Sequence, residues 1–88
     1  MRNTNHPARG DITPLQCRLA RTALGWNIEA LSSDAKVSSQ TVKRFERGEE
    51  LRLATVDKIR VSLERAGIEF IPENGGGEGV RFKYPKHG

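Results

Sequence analysis

Cysteine occurs once, at Cys17, so the chain can close no disulfide within itself and cannot surround a metal with cysteine ligands. A reduced, cytoplasmic setting suits such a chain. Histidine occurs twice, at His6 and His87, near opposite ends and far in sequence from Cys17. No paired carboxylates and no metal-ligand spacing accompany them, so the inventory points away from an enzyme and toward a protein with no metal and no cofactor. Aromatic residues make up only 6% of the chain. No apolar run approaches the ~20 residues needed to span a bilayer. Met1 to Asp11 lacks the apolar stretch of a secretory signal, so the chain is expected to stay inside the cell.

What is present is charge: 30% of residues are charged, with a net charge of +4. A basic excess favours a polyanionic partner through charge neutralisation and counterion release, although a solvated basic surface with no partner is a common alternative. At 88 residues, of which 35% are hydrophobic, the chain has room for one domain with a modest core. A second subunit would add buried surface.

Residues 1–12 contain Asn3, Asn5, His6, Pro7, Gly10 and Asp11 with hardly an apolar side chain, and are expected to form a flexible arm carrying Arg2 and Arg9. Thr13-Pro14-Leu15-Gln16 reads as a helix start: a capping threonine, a proline at the first helical position and a glutamine that completes a capping box. The helix runs to Leu24, with one apolar stripe of Cys17, Ala20 and Leu24 and a second of Leu15, Leu19 and Ala23. Gly25 ends it, and Asn27 caps a second helix from Ile28 to Ala35.

After a turn at Lys36-Val37, Ser38 caps a third helix, Ser39 to Arg47, with Val42 and Phe45 inward and Gly48 as terminator. Two short helices joined so tightly must cross steeply. Glu49 to Leu53 reads as a linker, and Val56, Ile59, Leu63 and Ala66 mark a fourth helix that Gly67 closes.

Beyond Gly67 the period changes from that of a helix to that of a strand. Ile68 to Ile71 alternates, Pro72 to Gly79 is rich in turn residues, and Val80 to Tyr84 alternates again, so residues 68–84 are predicted to form a β-hairpin. The glycine-rich stretch Gly75 to Gly79 precedes a strand, not the helix that a phosphate-cradling loop requires, and reads as a hairpin connection. An isolated two-stranded ribbon is marginal in water, so the hairpin needs cover. Two placements are open: docking on the chain's own first and fourth helices, or dimerisation through Ile68, Phe70, Val80 and Phe82 of two copies. Residues 85–88 read as a frayed tail.

Three stretches carry a family resemblance: Ala20-Arg21-Thr22-Ala23-Leu24-Gly25-Trp26, Ile28-Glu29-Ala30-Leu31, and Val37 through Gly48. In this order and spacing they resemble the xenobiotic-response-element (XRE) family of helix-turn-helix regulators, which includes the lambdoid phage repressors and Cro proteins. The resemblance covers residues 13–67. It implies a mainly α fold, a lambda-repressor-like helix-turn-helix bundle of four helices, to which this chain adds its C-terminal hairpin. It also implies a dimeric DNA-binding transcriptional regulator, a repressor or autoregulator, working at a prokaryotic nucleoid.

In that family the third helix lies in the major groove. By position the base-reading residues here are Gln40, Arg44, Ser39 and Thr41. Gln40 suits adenine, and Arg44 suits the O6 and N7 of guanine. Asn27, Ser38, Lys43, Arg47 and Arg52 are expected at phosphates. By the same carry-over, Arg21 and Glu46 resemble the family's partly buried structural ion pair. The chain departs from the family at Ile28, where members often carry a glutamine facing a phosphate, and at Lys36, where the turn usually holds glycine. It also carries the hairpin in place of a fifth, often dimerising helix. The alternative use of such a scaffold is as a protein-interaction module, an antitoxin or antiactivator.

Overall fold

The computed structural model describes residues 11–84, and within them the chain forms α1 (Pro14–Leu24), α2 (Ile28–Ala35), α3 (Ser39–Glu46), α4 (Leu53–Arg65), β1 (Ile68–Ile71) and β2 (Gly79–Phe82). Four helices followed by a two-stranded antiparallel hairpin is the layout of elements that the patterning predicts. Residues 1–10 of the expected arm and the tail 85–88 lie outside the described residues. Among the described residues, no helix is long and apolar enough to cross a membrane.

The helix starts are fixed by side chains that satisfy otherwise unpaired amides. Thr13 Oγ1 accepts from the Gln16 amide at 3.1 Å, and Gln16 Oε1 accepts from the Thr13 amide at 3.0 Å, completing the capping box of α1. Asn27 Oδ1 accepts from the Ala30 amide at 2.8 Å, and Ser38 Oγ accepts from the Thr41 amide at 3.0 Å. Lys36 ends α2 at φ 61° and ψ 45°, so the lysine does adopt the left-handed conformation that glycine takes more easily.

Three helix bounds differ from expectation, one being the end of α4, which stops at Arg65 with Ala66 as its cap. Helix α3 stops at Glu46, one residue early, with Arg47 as its cap. Helix α4 starts at Leu53, shortening the linker. Its cap position is Arg52, which makes no side-chain capping bond, so no Ser, Thr, Asp or Asn announces that start.

A further correction concerns the arm. Ile12 is buried among Cys17, Ala20, Leu31, Val42 and Phe45 in the core, so the folded unit begins ahead of Thr13. Ile12 precedes the cap and Cys17 is the fourth residue of α1. These are the two positions of a hydrophobic staple, which lets one apolar side chain order an otherwise polar segment. The rest of the core comes from α2, α4 and β1: Leu31, Ile59, Leu63 and Ile68 are fully buried. Each such side chain contributes roughly 1.5–3 kcal/mol by leaving water.

The hairpin pairs Ile68 with Phe82 and Phe70 with Val80 on one face, and Glu69 with Arg81 on the other, where the two join in an exposed ion pair. The apolar face turns inward. Ile68 is fully buried, and Phe70, Val80 and Phe82 pack against the core. The four residues expected as a dimerisation surface are therefore cover for the chain's own helices, with β2 against α1 and β1 against α4. The physical reason is proximity: Gly67 turns the chain back directly after α4, and a ribbon that is marginal alone takes the nearest apolar surface. Tyr84 was expected in the second strand, but β2 ends at Phe82 and Tyr84 is 76% exposed.

One buried side chain joins the two ends of the chain. Gln16 Nε2 donates to the carbonyls of Ile71 at 2.9 Å and Gly79 at 3.0 Å, while the same amide's oxygen caps α1. Thr13 Oγ1 adds a bond to Glu78 at 3.1 Å. We expect Gln16→Leu to lower the unfolding free energy in urea by ~1–3 kcal/mol, since buried partners lose their bonds. Amide exchange should accelerate first in residues 68–82; an unaltered urea midpoint would contradict this role for Gln16.

Candidate nucleic-acid interface

Helix α3 spans only two turns and could not persist alone in water. Val42 and Phe45 bury its inner face, and α2 packs against it after a turn of three residues, Lys36 to Ser38. Its outer stripe is Gln40, Lys43, Arg44 and Arg47, at positions i, i+3, i+4 and i+7, and all four are exposed. A carboxamide, an ammonium and two guanidiniums thus project side by side from a rigid base.

The remaining expected residues are distributed as follows. Ser39 and Thr41 flank the stripe and are half-buried. The hydroxyls of Ser38 and Thr41 lie 2.8 Å apart, and Ser38 also caps the helix, so both are already engaged. Asn27 is exposed, with its side-chain oxygen committed to the cap of α2. Arg52 is exposed at the start of α4, outside the α3 stripe. The structure therefore brings Gln40, Lys43, Arg44 and Arg47 together on one face, and places Asn27 and Arg52 on other elements.

The end of α3 is anchored to α1 by an ion pair. Arg21 Nε donates to Glu46 Oε2 at 2.8 Å and Arg21 Nη2 to Glu46 Oε1 at 2.9 Å, with the side chains only 17% and 4% exposed. The parallel bonds form a fork that neither a lysine nor a shorter acid would reproduce. Arg21 Nη1 also donates to the Trp26 carbonyl at 3.2 Å, so one guanidinium secures α1, the α1–α2 link and α3.

Cys17 Sγ donates to Glu46 Oε2 at 3.4 Å. Burial, and then the neighbouring Glu46 charge, push the Cys17 thiol far above its ordinary range, so it stays protonated and serves as a donor. For Glu46, burial opposes ionisation, but hydrogen bonds from Arg21 and Cys17 and the nearby positive charges outweigh it and hold the carboxyl below its usual value.

The sequence reading did not single out Glu49. Glu49 Oε1 accepts from Arg44 Nε at 2.8 Å and Oε2 accepts from Arg47 Nη2 at 3.0 Å. These hydrogen bonds, Arg44's first, lower the Glu49 carboxyl's affinity for a proton. A spacing of five across a helix end is not one of the helical pairings that sequence periodicity displays. The signal available was Gly48, whose φ of 96° turns the chain back on the helix.

Comparison with models of known protein families finds no match to this chain, and comparison with curated proteins finds none.

Glu46→Ala leaves the Arg21 guanidinium without its partner in a poorly hydrated place, and is expected to cost ~3 kcal/mol of stability in urea. The acid limb gives a second readout. Because the folded carboxyl titrates below its unfolded value of ~4.3, its contribution is complete above that value and is lost as pH falls through the lower folded one. Glu49 and Glu69 are lowered too and titrate in the same window. The loss of stability between about pH 5 and pH 2 should therefore be shallower in Glu46→Gln than in the parent, but not absent.

Proposed function

We propose that this chain is a sequence-specific regulator of transcription, a repressor or autoregulator that binds double-stranded DNA as a homodimer through α3. In this reading α2, the three-residue turn and α3 are the helix-turn-helix of a lambda-repressor-like bundle. The observation that carries the reading is the exposed stripe of Gln40, Lys43, Arg44 and Arg47 opposite the buried Val42 and Phe45. A helix of this length whose outer side chains pair donor-acceptor groups with forked cations fits the width and chemistry of the major groove.

The roles follow from side-chain geometry. Gln40 offers a donor and an acceptor to adenine, and Arg44 a planar fork to guanine. Lys43 and Arg47 neutralise phosphates, and Arg52 does so from the start of α4. Two-fold symmetry enters because one such helix covers too little DNA for tight specific binding; two copies ~34 Å apart would read a palindromic operator.

A second reading, a protein-interaction module such as an antitoxin or antiactivator, has one observation in its favour. Leu15 and Leu19, one turn apart on α1, are 50% and 38% exposed and the hairpin does not cover them.

Selection from random duplexes separates the two. The DNA reading expects an enriched two-fold motif whose binding weakens with salt at a slope of about −0.9 per phosphate contact. Arg44→Ala should weaken binding to that motif by ~1–3 kcal/mol and relax preference at one base pair, with the helical circular dichroism unchanged. Lys43→Ala should weaken all sequences alike and lower the salt slope by about one. No enrichment at any salt concentration would overturn the reading in favour of a protein partner.

A further inference from the structure

The end of α3 is a glycine-terminated motif that sets a carboxylate against the helix's own outer stripe. Two backbone bonds define it: Gly48 N–H donates to the Phe45 carbonyl at 2.9 Å, and Glu49 N–H donates to the Arg44 carbonyl at 3.0 Å. This is the Schellman pattern, which brings the second residue beyond the helix back over the third from its end. Here those residues are Glu49 and Arg44. They are joined twice, backbone to backbone and carboxylate to guanidinium, so Arg44 is steered from a fixed point and not by a floating counter-charge.

The atoms engaged matter. Glu49 takes Arg44 through Nε, which leaves the Nη1–Nη2 edge as the part of the fork available to guanine O6 and N7. Its other oxygen holds Arg47 through Nη2. Both pairs are exposed, with 43–56% of each side chain in solvent, so water competes for them and a phosphate could displace them.

Resting on the DNA-binding reading above, we propose that Glu49 is the residue that sets the sequence discrimination of α3. It positions Arg44 for a base edge from behind and opposes the capture of Arg44 and Arg47 by phosphates of unrelated DNA. At a matched guanine the Nη edge binds while Nε stays on Glu49, and the guanidinium meets the base already oriented. At non-matching DNA the attraction of the two arginines for phosphate is partly spent on Glu49, and the carboxylate itself repels the backbone. Discrimination at the Arg44 base pair therefore depends on an acid that touches no DNA.

The test uses the full chain, its selected operator and a scrambled duplex at fixed salt, with Glu49→Ala, Glu49→Gln, Arg44→Ala, the double variant Arg44→Ala/Glu49→Ala, and Glu50→Ala as a control for net charge. Glu49→Ala is expected to reduce discrimination at the Arg44 base pair about tenfold, within the range one forked contact commands, and to raise scrambled-duplex affinity severalfold. Discrimination at the Gln40 base pair should stay as in the parent. Glu49→Gln, which keeps an acceptor oxygen, should retain more discrimination than Glu49→Ala. In the Arg44→Ala background, removing Glu49 should have no further effect on discrimination at that base pair.

Glu50→Ala should strengthen both duplexes alike. If Glu49→Ala matches Glu50→Ala in every readout, or erodes discrimination equally at all positions, Glu49 acts only as charge or as scaffold and the proposal is overturned. A parent chain that shows no preferred sequence at all is a different result: it removes the DNA reading, and this role with it.

Discussion

At the end of α3 a glutamate carboxylate with 4% of its side chain exposed is kept ionised by the Arg21 fork and a protonated thiol. That arrangement joins the last residue of α3 to α1 and to the α1–α2 link. Helix α3 is too short to hold itself; Val42 and Phe45 bury its inner face against the core, and α2 packs beside it. The Arg21–Glu46 bonds add a directional tie at its last residue, because a fork fitted to a carboxylate is satisfied in one geometry only. A buried pair adds little net stability over an apolar substitute, so its value here is directional. It ties the last residue of α3 to α1.

Just beyond the same end of the helix, charge is used in the complementary way. Glu49 bonds two arginines in the open, where the strength of the contact is set by water and salt, and where it can yield to another anion. One acid of α3 and its terminator is therefore permanent and the other exchangeable, three residues apart in sequence. Burial alone makes the difference: Glu46 faces α1 across the core's edge, while Glu49 follows a left-handed glycine that swings it to the outside.

Much of the architecture was legible in the sequence because it is written in local chemistry. Thr13, Asn27 and Ser38 announce α1, α2 and α3 through caps, Gly25 and Gly67 close α1 and α4, and the Val56, Ile59, Leu63 repeat has one helical solution. Gln40, Lys43 and Arg44 were legible as outward for the same reason, since Val42 and Phe45 leave them one side, whereas Ser39 and Thr41, expected beside them, are half-buried and Arg47 completes the exposed stripe. Contacts between distant segments were not legible. Nothing local says that the inner face of residues 68–82 covers the chain's own helices; Ile12 and Glu49 had local signals, the staple with Cys17 and the turn at Gly48, that periodicity alone does not display. The start of α4 was missed because Arg52 offers no capping side chain, and Tyr84 was misplaced because alternation alone carries no stop signal.

The amide of Gln16 gives the boundary at residue 67 a different meaning from the one that the change of period there suggests. Its nitrogen is shared between the last residue of β1 and the first of β2, some 55 and 63 positions along the chain, while its oxygen closes the first turn of α1. A fragment ending at Gly67 would strip both acceptors from a core amide and uncover the flank of α1 and α4 that Ile68 now fills. Residues 13–67 and 68–84 are thus separable on paper only: the hairpin is the closing piece of the helical unit, and the chain must be nearly all in hand before its first helix is complete.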